Sequence, residues 1–128
     1  MACIPLLIRL WKGRVMAQAD IDLSQYEFVQ AVTEQELLPG ERVFIEVDEQ
    51  PIVIFNVSGK YYAIGDLCTH DDGPLGEGAL EGHQIICPRH GARFDIRSGK
   101  ALSMPAFTDT PWYPTRVVDG WIEIGLPL

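Results

Sequence analysis

Cysteine is scarce in this chain, at three among 128 residues, and basic residues are outnumbered, at 10 Lys and Arg against 18 Asp and Glu. Three cysteines, two of them in patterned positions, cannot build the paired framework of a small secreted scaffold, so the expected compartment is the reducing cytoplasm. The shortage of positive charge argues against nucleic acid, which is held chiefly through Lys and Arg, and an acidic body is repelled by an anionic membrane surface. The shortage is uneven. Residues 1–15 hold Arg9, Lys12 and Arg14 without an acid, which leaves 18 acids against 7 bases, about −11, over the remainder. Such a body suits a basic protein partner. Long apolar runs are also missing, since a helical membrane span needs roughly 18 or more uninterrupted apolar residues. The run Ile4–Leu10 is broken by Pro5 and Arg9 and follows no charged segment, so it reads neither as a span nor as a signal peptide. Residues 1–15 are read as a loose tail or a mis-assigned start, because composition turns polar and acidic from Met16 onward. Cys3 is read as an incidental thiol. No internal repeat or low-complexity linker is visible, and the length suits one domain.

What is present is β-rich. From Tyr26 onward, short runs of β-branched and aromatic residues alternate with turn residues, which predicts an all-β domain. Arg42–Val47, Pro51–Val57 and Lys60–Gly65 form a candidate meander, with Ser58-Gly59 as a turn. A single helical turn is predicted after Thr33, through Glu36 and Leu37, ended by Pro39-Gly40. After Gly65 the regular pattern gives way to a Gly- and Pro-rich stretch, then to Gln84–Cys87 and Ala92–Ile96. This suggests a small inserted subdomain at about residues 66–106. The chain closes with Tyr113–Val118, an Asp119-Gly120 turn and Trp121–Ile124, a hairpin expected to return to the first sheet.

Chemistry concentrates in two short motifs. Cys68-Thr-His70 is followed, after sixteen intervening residues, by Cys87-Pro-Arg-His90, so each thiolate has an imidazole in its own loop. Thiolate suits iron–sulfur clusters, and replacing two of four thiolates by neutral imidazole makes a cluster less negative and raises its potential. Two such loops can clamp one small cluster. Structural zinc is the alternative, because Cys2His2 completes a tetrahedral set, although one residue between Cys68 and His70 is tighter than zinc loops usually allow. A Cys–His nucleophile pair leaves the second motif unexplained.

Cys68-x-His70 with Cys87-Pro-Arg-His90-Gly91, continued by Ala92-Arg-Phe94, resembles the signature of the Rieske proteins, and of the soluble Rieske ferredoxins of bacterial ring-hydroxylating dioxygenases in particular. The resemblance spans residues 26–126. It implies a fold of three antiparallel sheets, with a base domain and a cluster-binding subdomain. It further implies one 2Fe-2S cluster, with Cys68 and Cys87 on an inner iron and His70 and His90 on an outer iron whose imidazole edges face solvent. High-potential members join their ligand loops by a disulfide between two further cysteines. Here the loops offer Asp71-Asp72-Gly73-Pro74 and Arg89, so no such bridge can form. Ala92 replaces a serine hydroxyl of those members. Fewer donors to the cluster sulfurs, Asp71, Asp72 and the acidic body together imply a potential low in the Rieske range.

Ser103-Met-Pro-Ala106 resembles the proline-bearing loop that covers the cluster. Gly73, Gly76 and Gly91 are read either as sites of close backbone approach or as turn glycines. Trp112, Tyr113 and Trp121 are read as packing aromatics. His83 is read as a solvated turn residue with no role. Arg89 and Arg93 are left open between orienting a partner and pairing with Asp71, Asp72 or Asp95. Oxygen activation at a mononuclear iron takes two histidines and a carboxylate, and once His70 and His90 are assigned only His83 remains. The chain is therefore expected to be no enzyme. It is expected to be a cytoplasmic, monomeric electron carrier that meets a flavin-dependent reductase and a terminal oxygenase transiently. The small subunit of an assimilatory nitrite reductase, or a ferredoxin of another redox system such as iron–sulfur assembly, is the alternative.

Overall fold

The computed structural model describes residues 22–69, 73–104, 106 and 108–128. The expectations placed on residues 1–15, including Cys3, and on His70, Asp71, Asp72 and Pro105 fall outside the described residues.

Among the described residues, ten strands run in chain order: β1 (Tyr26–Thr33), β2 (Arg42–Val47), β3 (Gln50–Val57), β4 (Lys60–Gly65), β5 (Leu80–Glu81), β6 (Gln84–Ile86), β7 (Arg93–Asp95), β8 (Trp112–Tyr113), β9 (Thr115–Val118) and β10 (Trp121–Pro127). They form three sheets, in the orders β2-β3-β4-β8, β1-β10-β9 and β5-β6-β7, and every pairing is antiparallel. This is the all-β, three-sheet architecture expected. The hairpins β2–β3, β3–β4 and β9–β10 turn through residue pairs that both have positive φ, namely Asp48-Glu49, Ser58-Gly59 and Asp119-Gly120. That geometry matches the twist of the strands it joins.

The central sheet has two apolar faces, and β3 shows why. Its run Ile52-Val53-Ile54-Phe55 is fully buried, and side chains alternate across a strand. Ile52 and Ile54 pack with Leu37, Ala63, Tyr113, Ile122 and Ile124 toward the β1-β10-β9 sheet. Val53 and Phe55 point the other way, with Tyr62 and Ile64, into a second cluster. That second cluster contains both Cys68 and Cys87.

Two expectations need correction. The closing hairpin does not return to the first sheet, because β10 pairs with β1 and β9. Tyr113–Val118 is also not one strand. Pro114 has no N–H to offer a ladder, and the chain changes sheets there: Trp112 and Tyr113 pair with Ile64 and Ala63, whereas Thr115–Val118 pair with β10. The Pro114 carbonyl accepts from the Gly125 amide at 2.8 Å, which locks the crossing. The predicted helical turn forms as a 3₁₀ turn over Glu34–Glu36, with the Glu36 carboxylate accepting from the Thr33 amide at 2.8 Å.

Candidate functional site

Two loops carry the cysteines, and one hydrogen bond closes both in the same way. The Cys68 amide donates to the Gly73 carbonyl at 2.7 Å, and the Cys87 amide to the Ala92 carbonyl at 2.7 Å, five residues on in each case. The second loop is tightened further by the Gly91 amide on the Cys87 carbonyl at 3.0 Å. Both cysteines are buried in one cluster with Leu75, Ile85, Ala92, Phe94 and Ala106. His90, three residues after Cys87, is exposed.

The loops are anchored by residues that the sequence did not single out. Asp66 follows β4 directly, and one oxygen of its carboxylate accepts from the amides of Leu75 (2.9 Å) and Gly76 (2.6 Å), gathering both ends of the first loop. Thr110, 2% exposed, donates its hydroxyl to the Leu67 carbonyl at 3.1 Å, while its amide donates to the Gly99 carbonyl at 2.8 Å. It thereby joins the first loop to the turn after β7. Thr69, between Cys68 and His70, donates to the Thr108 carbonyl. Arg42 reaches from β2 to the carbonyls of Gly76 and Gly78. Only Asp66 had a local signal, a short carboxylate at the entrance of a loop.

Other expectations resolve individually. His83 is not a freely solvated turn residue: it is half-buried and meets the Tyr62 ring edge-on at 5.5 Å, fixing the β5–β6 turn against the central sheet. Arg93 pairs with Glu81 at 3.0 Å and also donates to Gln84, so its charge is engaged within the β5-β6-β7 sheet. Asp95 pairs with Arg97. Ser103 accepts from the Arg93 amide at 3.1 Å, Ala106 packs in the cysteine cluster, and Met104 is exposed. Gly91 has a φ of +78°, a turn requirement, whereas Gly76 has Phe44 and Val53 packed against its Cα. Tyr113 lies in the core between the base sheets, where burial pushes its hydroxyl up, and Trp112 packs against the cysteine cluster.

The donor set suits a cluster held at the junction of two loops. Cys68 and Cys87 approach from opposite loops inside an apolar shell, and His90 stands at the exposed rim. Among the described residues, no three His, Cys, Asp or Glu side chains gather as they would around a single metal ion. Two buried soft sulfur donors with an imidazole at the exposed rim suit an iron–sulfur cluster by their donor chemistry.

Comparison with known proteins agrees. The family model of the Rieske [2Fe-2S] domain matches residues 27–114. The chain belongs to the Rieske [2Fe-2S] family. As a Rieske domain it carries one 2Fe-2S cluster. It is 34% identical over 100 residues to the ferredoxin component of the naphthalene 1,2-dioxygenase system of Pseudomonas putida, covering 78% of this chain and 96% of that one. It is 41% identical over 85 residues to the 3-phenylpropionate/cinnamic acid dioxygenase ferredoxin subunit of Escherichia coli strain K12, covering 65% and 80%. Its fold matches that of a chain in a complex of reduced oxygenase and oxidized ferredoxin in carbazole 1,9a-dioxygenase. That match has a TM-score of 0.70 and 28% identity, over 76% of this chain and 91% of that one.

Proposed function

We propose that this Rieske protein is the ferredoxin of an aromatic ring-hydroxylating dioxygenase system, with Cys68 and Cys87 holding the inner iron and His70 and His90 the outer iron. The cluster, when bound, accepts one electron and releases it again. The observation that carries this reading is the burial of Cys68 and Cys87 in one apolar cluster while His90 remains at the surface. Buried sulfur donors keep water away, and an exposed imidazole offers a short path to a partner. Asp66, Thr110 and Arg42 hold the Cys68 loop and its exit against the central sheet and the turn after β7.

In this reading the chain performs no catalysis. It takes an electron from a flavin-dependent reductase and passes it to a terminal oxygenase, where the substrate chemistry takes place. The kinship with dioxygenase ferredoxins supports this over the small subunit of a nitrite reductase. No helix among the described residues is long and apolar enough to cross a membrane. A monomer in the cytoplasm that meets each partner briefly suits an acidic chain of net charge −8, and such steered contacts weaken as salt rises.

The test is iron and acid-labile sulfide analysis of the purified protein, with an electron paramagnetic resonance spectrum after dithionite reduction. The expected result is two irons and two sulfides per chain, about the stoichiometry of one Rieske centre, a spectrum with an average g below the free-electron value, and loss of both on substituting Cys68, His70, Cys87 or His90. Zinc without sulfide overturns the reading.

A further inference from the structure

Arg89 lies in an exposed turn of the second loop, yet its guanidinium does not extend into solvent alone. One terminal nitrogen, Nη2, stands 3.9 Å from the Cys87 sulfur, and the other, Nη1, donates across to the Pro74 carbonyl of the first loop at 3.3 Å. The group also covers Gly73: a Cβ built there would lie 2.3 Å from Nη2 and 2.6 Å from Cζ. Gly73 is the residue whose carbonyl closes the first loop on Cys68. One side chain therefore touches the sulfur-bearing residue of its own loop and the closing residue of the other.

We infer that Arg89 is a positioning residue that clamps the two ligand loops together and holds a permanent positive charge beside the Cys87 sulfur. This rests on the ligand assignment proposed above. The chemistry is specific to arginine. A planar guanidinium presents several donors in a fixed fork, so it can reach a carbonyl and a sulfur at once, whereas a lysine ammonium is a compact point charge. A cation beside a ligand sulfur stabilises the state that carries the extra electron, and so raises the potential. Arg93 and Arg42 reach other groups: Glu81 and Gln84 for the first, the carbonyls of Gly76 and Gly78 for the second. Arg89 thus offsets locally the acidic body that favours the oxidised state.

The test compares wild type with Arg89→Gln, Arg89→Lys and Gly73→Ala. The readouts are the midpoint potential and the rate of iron loss to a chelator. Gly73→Ala leaves the arginine in the chain but occupies its resting place, and the flexible end of Arg89 can swing away without disturbing the fold. Arg89→Gln is expected to make reduction about tenfold less favourable, about 59 mV for a one-electron couple, and to speed iron loss. Gly73→Ala is expected to shift both readouts in the same directions. Arg89→Lys is expected to keep more of the potential than Arg89→Gln while losing iron faster than wild type. Unchanged potential and iron loss in both Arg89→Gln and Gly73→Ala overturn the inference. If Arg89→Gln does not accumulate, Gly73→Ala and Arg89→Lys decide by the same readings. Wild type lacking iron and sulfide would instead overturn the proposed function.

Discussion

The guanidinium of Arg42 donates to the Gly78 carbonyl at 2.7 Å, from β2 at the edge of the central sheet to the stretch that leads out of the Cys68 loop. The same group reaches the Gly76 carbonyl and lies over the Phe55 ring, 5.2 Å from its centroid. The central sheet therefore grips the stretch after the Cys68 loop through one charged side chain.

Replacing Arg42 by Met keeps an apolar stem on Phe55 but leaves two part-buried carbonyls without their cationic donor. Hydrogen bonds to charged groups contribute about 1.5–3 kcal/mol, so a loss of about 2 kcal/mol is expected. A lower urea midpoint at an unchanged slope would register it. Arg42→Lys should recover part of the loss, through charge but without the fork.

Asp66 makes a second prediction, because one carboxylate oxygen serves two amides. Asp66→Ala leaves the amides of Leu75 and Gly76 unpaired in a region where both residues are buried. Each stranded donor costs about 1–3 kcal/mol. Asp66→Asn keeps the acceptor and loses only the charge, so it should cost less than half as much. Thermal unfolding of both variants separates acceptor geometry from charge; equal losses would mean that the charge alone matters.

The legible and illegible parts of this molecule differ in range. Arg42–Val47 and Lys60–Gly65 were readable because a strand declares itself through its own β-branched and aromatic residues, and their observed bounds match the pattern. The burial of Cys68 and Cys87 in one cluster, by contrast, joins two motifs sixteen residues apart, and no local pattern says that they meet. Partners are not local. Nothing near Trp121 says that β10 pairs with a strand opening at Tyr26, and Arg42, Asp66 and Thr110 act on backbone groups 9 to 45 residues away. His83 was misjudged because its turn looked solvated, while the Tyr62 ring it meets comes from another sheet.

Acid should weaken the turn that follows β7. Burial pushes the Asp95 carboxyl up, but hydrogen bonds from the Arg97 side chain and amide, with the charges of Arg97 and His83, outweigh it and hold the group below its ordinary value of 3.8. A carboxylate whose folded pKa is depressed stabilises the fold above its unfolded pKa and loses that contribution as pH falls through the folded one. The stability difference between wild type and Asp95→Asn should therefore be largest near neutral pH, at about 1 kcal/mol or less for a pair with an exposed Arg. It should shrink toward zero below about pH 4. Urea titrations of both proteins at pH 6 and pH 3 measure it, and a difference that grows in acid would contradict the sign.

Gly78 and Gly91 both lie near the cysteine loops, are required for different reasons, and their alanine variants should separate. A Cβ on Gly78 would lie 1.8 Å from the Ile86 carbonyl oxygen, which belongs to backbone and cannot swing aside. The Ile86 amide is itself held by the Ala79 carbonyl at 2.9 Å, so relief requires β5 and β6 to part. Overpacking of this kind costs about 1–3 kcal/mol and sometimes more. At Gly91 nothing stands within 4 Å, and the cost is conformational, from a φ of +78°. A non-glycine residue there loses about 1–2 kcal/mol. Gly78→Ala should thus be the more damaging and should disturb both loops, speeding iron loss. Gly91→Ala should fold with a modestly lower melting temperature and retain its iron. The reverse order would mean that strain in the second loop, rather than the contact with Ile86, limits the site.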